Sequence, residues 1–382
     1  MTLTAVVHGP RLQDYNPSDD AGRPLRRELG IELMDAYGLR DHPAAARVDP
    51  PPADDVDVER VHAPAYVRAV RRLSDAPVLA AAPEAAQWGL QPGGDTPARA
   101  GMHEAALAVC GAGLAAADLV WEGRAERAFC PAPAGLHHAR AAQASGFCIY
   151  NDCALAIQRL LDAGAERVAY VDIDAHHGDG VQTAFYHDKD VMTISTHESG
   201  RWLFPGTGDV SELGEGDGRG YSVNLPLFPY TDDDVFLEVF EAVVPPLVKA
   251  FGPDVIATQL GADAYVDDPL THLALTARGY TAAVVRLGAL GYPWLAFGGG
   301  GYDLDAVPRC WTLALGTMAG RDLPDELPPG SERFLTSSRL REGDSGVDDA
   351  TRSRARQWAQ DQVTEIQRLI FPLHGIGQRS GS

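Results

Sequence analysis

The feature that most constrains this 382-residue chain is a repeated junction, in which a short apolar run stops abruptly against polar or glycine-rich sequence. It occurs at 168–173 before DAHHGDG, at 191–195 before THESG, at 255–260 before GADAY and at 294–297 before GGGGY. Runs this short and apolar suit strands buried on both faces, as in a parallel sheet covered by helices. Helical patterns alternate with them. Segment 26–39 puts Leu29, Leu33 and Tyr37 on one stripe, 64–73 starts at Pro64, and 99–119 is Ala-rich. Asn151 can cap a helix ending near Gly164, Thr231 and three aspartates open another, and 349–369 is amphipathic. The expected fold class is α/β, with a central, mainly parallel sheet flanked by helices on both faces. One domain is expected over 1–370, with surface excursions at 324–348 and a disordered tail at 371–382. In such sheets ligands bind beyond the carboxyl ends of the strands, which is where the four junctions lie.

The chemistry concentrates at the first junction. In an extended chain Asp172, Asp174 and His176 share one face, with His177 and Asp179 close behind. Grouped carboxylates repel and are costly to desolvate, so packing gives no reason for the cluster, whereas a divalent cation does. Asp and His suit zinc, and an Asp-rich set also admits ferrous iron. Asp263 follows another expected strand and can face the same crevice, although GAD by itself equally reads as a turn. Two Asp and one His leave a coordination position open, as catalytic zinc requires. The adjacent His137 and His138 suggest proton transfer, with Asp172 and Asp179 available to orient them. Gly298 to Gly301 let backbone approach a site closely and deliver the Tyr302 phenol. No P-loop lysine accompanies the glycines, which argues against phosphate.

Charge narrows the partners. Lys plus Arg number 32 and Asp plus Glu 53, a net charge of −21, which repels nucleic acid and favours cationic partners. The five cysteines form no C-x-x-C pair, as expected of free thiols in the cytoplasm. The N-terminus lacks a signal-peptide pattern, and the sequence reading finds no apolar run near the roughly 20 residues a membrane span needs.

Taken in order, AGLHHA, SGFCIYND, YVDIDAHHGDGVQTAFY, FPGTG, QLGAD and GGGGY resemble the zinc-dependent histone deacetylase family, in its class I-like bacterial branch of acetoin-utilization (AcuC-type) deacetylases. The likeness spans about residues 20 to 320. It implies the arginase–deacetylase fold and hydrolysis of the acetyl amide of Nε-acetyl-lysine in proteins. It also implies Asp174, His176 and Asp263 as zinc ligands, and His137 and His138 as an acid/base pair partnered by Asp172 and Asp179. Tyr302 matches the residue that binds the substrate carbonyl. Phe147, Phe204 and Leu270 match tunnel walls, Gly146 a backbone acceptor for the lysine amide, and Asp95 a rim carboxylate. Asp172, Asp174, His176, Ser195 and Thr196 resemble a structural K⁺ site, and Arg26 the arginine of an internal exit channel. Two segments depart from the pattern: DDAGRPLRR before the first helix and HESGRW before Phe204.

Three alternatives define what the structure must distinguish. An arginase-like two-metal hydrolase needs further Asp or His ligands. A deacetylase of small acetylated amines such as acetylpolyamines needs an acidic gatekeeper, for which Asp267 and Asp268 are candidates. A non-catalytic acetyl-lysine binder is free to lose a ligand, the His pair or the tyrosine, and none is missing here.

Overall fold

The computed structural model describes residues 3–16, 22–81, 83–131 and 133–377. Its centre is one eight-stranded sheet. The strands are β1 (Thr4–Val7), β2 (Ala45–Val48), β3 (Arg127–Cys130), β4 (Val168–Asp172), β5 (Val191–Glu198), β6 (Ser222–Leu227), β7 (Val255–Gln259) and β8 (Trp294–Phe297). Their spatial order is β2-β1-β3-β8-β7-β4-β5-β6, and every pairing is parallel. The expected helices form as Gly22–Ala36, Pro64–Asp75, Met102–Trp121, Asp152–Asp162, Asp233–Phe251 and Asp349–Leu369. Side-chain caps start three of them, from Asn151, Asp232 and Asp348. The first stops short of the expected 39 because the chain turns at Gly38, where φ is +63°.

Alternation along β4 shows how the sheet divides the interior. Val168 and Tyr170 belong to one apolar cluster, with the helices Pro64–Asp75, Met102–Trp121 and Asp152–Asp162. Ala169 and Val171 belong to the other, with Asp233–Phe251, Ala277–Gly288 and Ala306–Met318. Two sequence expectations need correction. Met102–Trp121 is long and apolar enough to cross a membrane by composition, but most of it is buried inside the protein, where it packs on Asp152–Asp162 and β3. Residues given to a tail include a turn of 3₁₀ helix at Phe371–His374, which buries Phe371 and pairs His374 Nε2 with the Gly220 carbonyl at 2.8 Å. Residues 378–382, and 17–21 with the first three residues of the departing DDAGRPLRR segment, lie outside the described residues.

The register aligns the carboxyl ends. Cys130 pairs with Phe297, Phe297 with Gln259, Gln259 with Asp172, and Asp172 with Ser195. Four adjacent strands, β3, β8, β7 and β4, therefore end level with one another, while β5 runs three residues further, to Glu198. The loops leaving these four carry the His pair, the glycine run, Asp263 and the Asp/His cluster.

Candidate metal centre and active site

The four segments converge. Asp174, His176 and Asp263 are buried, and their candidate ligand atoms lie within 4.8 Å of one another. His176 Nδ1 is 3.1 Å from Asp174 Oδ1 and 3.1 Å from Asp263 Oδ2. A tetrahedral zinc site with bonds of roughly 2.0–2.1 Å has ligand-to-ligand edges of about 3.3 Å, so this spacing fits. The donor chemistry fits as well. One imidazole N–H can satisfy one of the two carboxylates, and burial together with the Asp174 charge pushes Asp263 up to about 7. A divalent cation relieves that conflict. The remaining oxygens are held by protein: Asp174 Oδ2 accepts from Gln259 Nε2 at 2.6 Å and Gly300 N at 3.0 Å, and Asp263 Oδ1 from Ala175 N at 2.8 Å. Glycine is required at 300, because a Cβ there would lie 2.3 Å from Asp263 Oδ2 and 2.6 Å from Asp174 Oδ2. Among the described residues this is the one His/Cys/Asp/Glu group with ligand spacing, which speaks against a two-metal site.

His137 and His138 stand beside it with ring centroids 4.0 Å apart. His137 Nδ1 is 2.7 Å from Asp172 Oδ2, and His138 Nδ1 is 2.7 Å from Asp179 Oδ1. Each Nδ1–H donating to its carboxylate leaves Nε2 for the cavity that both rings line. The two dyads differ in charge. Asp179 Oδ2 also takes Arg140 Nε at 3.1 Å and Nη2 at 2.7 Å, whereas Asp172 takes the neutral Tyr170 hydroxyl at 2.8 Å. Burial and then the neighbouring His137 bring His138 down to about 4. Burial pulls His137 down too, but Asp172 and Asp174 outweigh it and raise the ring to about 9. Burial and the neighbouring charges thus push the two imidazoles in opposite directions, His137 up and His138 down. His177, the remaining histidine of DAHHGDG, turns away to Thr207 Oγ1 at 2.8 Å and Gln182 Oε1 at 3.1 Å.

Tyr302, Phe147, Gly146 and Arg26 line the same cavity. The Arg26 guanidinium sits 4.7 Å from the Tyr302 ring centroid. Beside it, buried Arg27 donates to the Tyr15 carbonyl at 2.6 Å. Phe204, 43% exposed, places its ring 5.1 Å from that of His138, and Phe147 lies 6.3 Å from Tyr302. Gly146 and Phe147 both have positive φ, +55° and +66°. That turn is pinned by Asp95 Oδ2, which accepts from Gly146 N at 2.8 Å, and by Thr96 Oγ1, which accepts from Phe147 N at 3.0 Å. The exposed Asp95 carboxylate is therefore partly committed within the protein. Leu270 is exposed and does not line the cavity. Among the residues expected for K⁺, the Asp172 carbonyl accepts from Thr196 Oγ1 at 3.1 Å, and Ser195 Oγ pairs with His197 Nδ1 at 2.8 Å.

The acidic gatekeeper does not appear where the small-amine alternative needs it. Asp268 is buried and accepts from backbone N–H groups, while Asp267 lines a separate surface pocket with Asp303 and Asp344. Sequence reading also missed several supporting residues. Asp152 accepts from Gly135 N at 2.9 Å and Leu136 N at 2.6 Å, fixing the loop that carries the His pair. Asn151, read as a helix cap, also donates from Nδ2 to the carbonyls of His137 and Ala139. The available signal was a polar pair at a junction otherwise lined by apolar residues.

With the geometry in place, comparison with known proteins is informative. Residues 22–318 match the histone deacetylase domain. The acetoin utilization protein AcuC of Bacillus subtilis (strain 168) is 46% identical over 288 residues, 74% of this chain and 73% of that protein. AcuC of Staphylococcus xylosus is 37% identical over 341 residues, 87% and 86% of the two chains. Histone deacetylase 8 of Xenopus tropicalis is 37% identical over 326 residues, 85% and 86%. The matched span takes in the strands β2 to β8 and all four converging segments, so likeness and geometry fall on the same residues. On both grounds the chain belongs to the histone deacetylase family of hydrolases, in its AcuC-type bacterial branch.

Proposed function

We propose that the chain is a zinc-dependent lysine deacetylase that hydrolyses the acetyl amide of Nε-acetyl-lysine in a protein or peptide and releases acetate. The observation that carries this reading is the meeting of Asp174, His176 and Asp263 beside two His–Asp dyads in a cavity that Tyr302 also lines. Asp174, His176 and Asp263 hold the ion, zinc or alternatively ferrous iron, and bound there it supplies Lewis acidity for attack on the amide. His138, neutral at pH 7, takes a proton from the attacking water and returns it to the departing lysine nitrogen. His137, oriented by its bond to Asp172, presents Nε2 beside the acyl oxygen where negative charge develops. Tyr302 donates its phenolic hydrogen to that oxygen. Phe147 and Phe204 flank the apolar stem of the lysine, and Leu270 belongs to the outer wall. The Gly146 carbonyl, which takes the Cys148 thiol at 3.3 Å, has a second lone pair for the substrate amide. Asp95 meets the peptide backbone at the rim, and Arg26 faces the inner end of the cavity. A potassium ion among Asp172, Asp174, His176, Ser195 and Thr196 would be structural.

The net charge of −21 favours cationic, lysine-rich partners and disfavours nucleic acid or an anionic membrane surface. All five cysteines are free and buried, in keeping with a reducing cytoplasm. A fluorogenic acetyl-lysine peptide assayed with and without chelator, beside acetylspermidine, tests the reading. Chelator-sensitive, zinc-restored turnover of the peptide is expected. Preference for acetylspermidine would reassign the substrate, and no turnover of either by metal-loaded protein would end the proposal.

A further inference from the structure

Tyr302 follows four consecutive glycines, and Gly299 and Gly301 have φ of +76° and +123°. Such backbone has little intrinsic preference, so the phenol must be located by contacts outside the run. One of these comes from the loop after β7. The buried Asp268 carboxylate accepts from Tyr302 N at 2.7 Å through Oδ2 and from Leu270 N at 2.9 Å through Oδ1. The Leu270 bond alone would be a local turn in which an aspartate caps the chain two residues on. The Tyr302 bond crosses 34 residues of sequence and joins two loops that leave neighbouring strands. One planar, charge-bearing group thus fixes the phenol-bearing residue and the exposed Leu270 relative to each other.

We infer that Asp268 is a positioning residue: it clamps the backbone of Tyr302 to that of Leu270, so that placement of the oxyanion donor and shape of the acyl-lysine entrance are set together. The inference rests on the deacetylase reading and assigns the acidic residue a role other than that of a gatekeeper for cationic substrates. Asp268 touches neither substrate nor metal in this arrangement and acts through Tyr302.

Two variants and a double-mutant cycle test it on the zinc-loaded full chain, with an acetyl-lysine peptide as substrate. Asp268→Asn keeps the shape and one acceptor but turns an N–H₂ toward one backbone N–H, while Asp268→Ala removes both bonds. The expected result is a fall in kcat of roughly 10–100-fold, because displacement of a reacting group by about 1 Å costs up to about 10²-fold. KM should change much less, zinc content should stay at the parent level, and the ratio of acetyl to longer-acyl turnover should shift. In a Tyr302→Phe background, Asp268→Asn should cost less than threefold more, since the group it positions is gone. Independent, multiplying losses would overturn the positioning role while leaving the deacetylase reading intact, as would parent-like kcat in Asp268→Asn. Full activity in Tyr302→Phe alone would remove Tyr302 from the mechanism and the positioning role with it, while leaving deacetylation itself intact. Should Asp268→Ala fail to fold, Asp268→Asn, checked by thermal unfolding, carries the cycle.

Discussion

Gly146→Ala is the substitution whose effect the structure specifies most closely. A Cβ at this position would lie 2.3 Å from His138 Cδ2 and 2.7 Å from Cγ, whereas ordinary contact begins at 3.4 Å. The ring or the loop must give by about 1.1 Å. The loop cannot yield easily, because Asp95 holds Gly146 N at 2.8 Å, Thr96 holds Phe147 N at 3.0 Å, and the Tyr15 hydroxyl donates to the Phe147 carbonyl at 2.7 Å. His138 therefore moves, and its 2.7 Å bond to Asp179 is lengthened or bent. A misplacement of this size costs about 10²-fold in kcat. The backbone adds strain, since alanine at φ +55° costs about 1–2 kcal/mol relative to glycine. Neither effect touches Asp174, His176 or Asp263. The measurement is kcat and KM on an acetyl-lysine peptide, with metal content by elemental analysis and stability by thermal unfolding. The expected outcome is a metal-replete, modestly destabilised protein with kcat lowered about 100-fold. A variant with kcat within threefold of the parent would refute the claim that His138 is held where the chemistry needs it.

Other outcomes follow from the same geometry. Asp263→Asn leaves His176 Nδ1 with one carboxylate instead of two, so elemental analysis should show zinc affinity lowered by more than the roughly 10–100-fold that a supporting residue costs. Tyr302→Phe should fold and bind metal as the parent does while kcat falls by roughly 10²–10³-fold in steady-state assays. His62 is buried, with Nδ1 donating to the Arg140 carbonyl and Nε2 accepting from Asn151 N, and burial lowers it from 6.5 to about 4. Between those values the unfolded chain binds a proton that the folded chain refuses. The stabilisation from neutral His62 is thus complete above pH 6.5 and lost as pH falls toward 4. His62→Gln should flatten stability against pH in that window by up to about 1.4 kcal/mol per pH unit, read by denaturant unfolding at several pH values. An unchanged slope would show that His62 is free to protonate in the fold.

How much of this was legible in the sequence depends on distance along the chain. β4, β5, β7 and β8 were readable because each is an apolar run with a polar stop, and their observed bounds differ from the expected ones by three residues at most. β1, β2 and β3 have four residues each, as β8 does, but no glycine-rich stop like the one after β8 marks their ends, β2 is only half-buried, and β2 and β3 carry an arginine within the run. The cluster from Asp172 to Asp179 was conspicuous because like charges crowd a single segment. Asp263 was not, since its meaning comes from His176 Nδ1 at 3.1 Å, 87 residues away. That ligand, like the two tunnel phenylalanines, was reached through resemblance and not through pattern.

The residues whose supporting role escaped notice, Asp268 among them although it was read as a gatekeeper candidate, share one physical trait: each acts by joining two segments of chain instead of by carrying a reactive group. Asp152 ties the His loop to the start of a helix, Gln259 ties Asp174 to the end of β7, and Asp268 ties Tyr302 to Leu270. In sequence each resembles an ordinary cap, strand end or turn. Their necessity follows from the sheet. Level carboxyl ends bring together the His pair, the ligands and the tyrosine from strands adjacent in space but far apart in the chain. They bring them on loops, and loops rich in glycine have no rigidity of their own. Reaction geometry accurate to a fraction of an ångström therefore requires a buried polar cross-tie at each meeting of two loops. Substituting a cross-tie should then lower turnover while metal content stays constant, whereas substituting Asp174, His176 or Asp263 should lower both together.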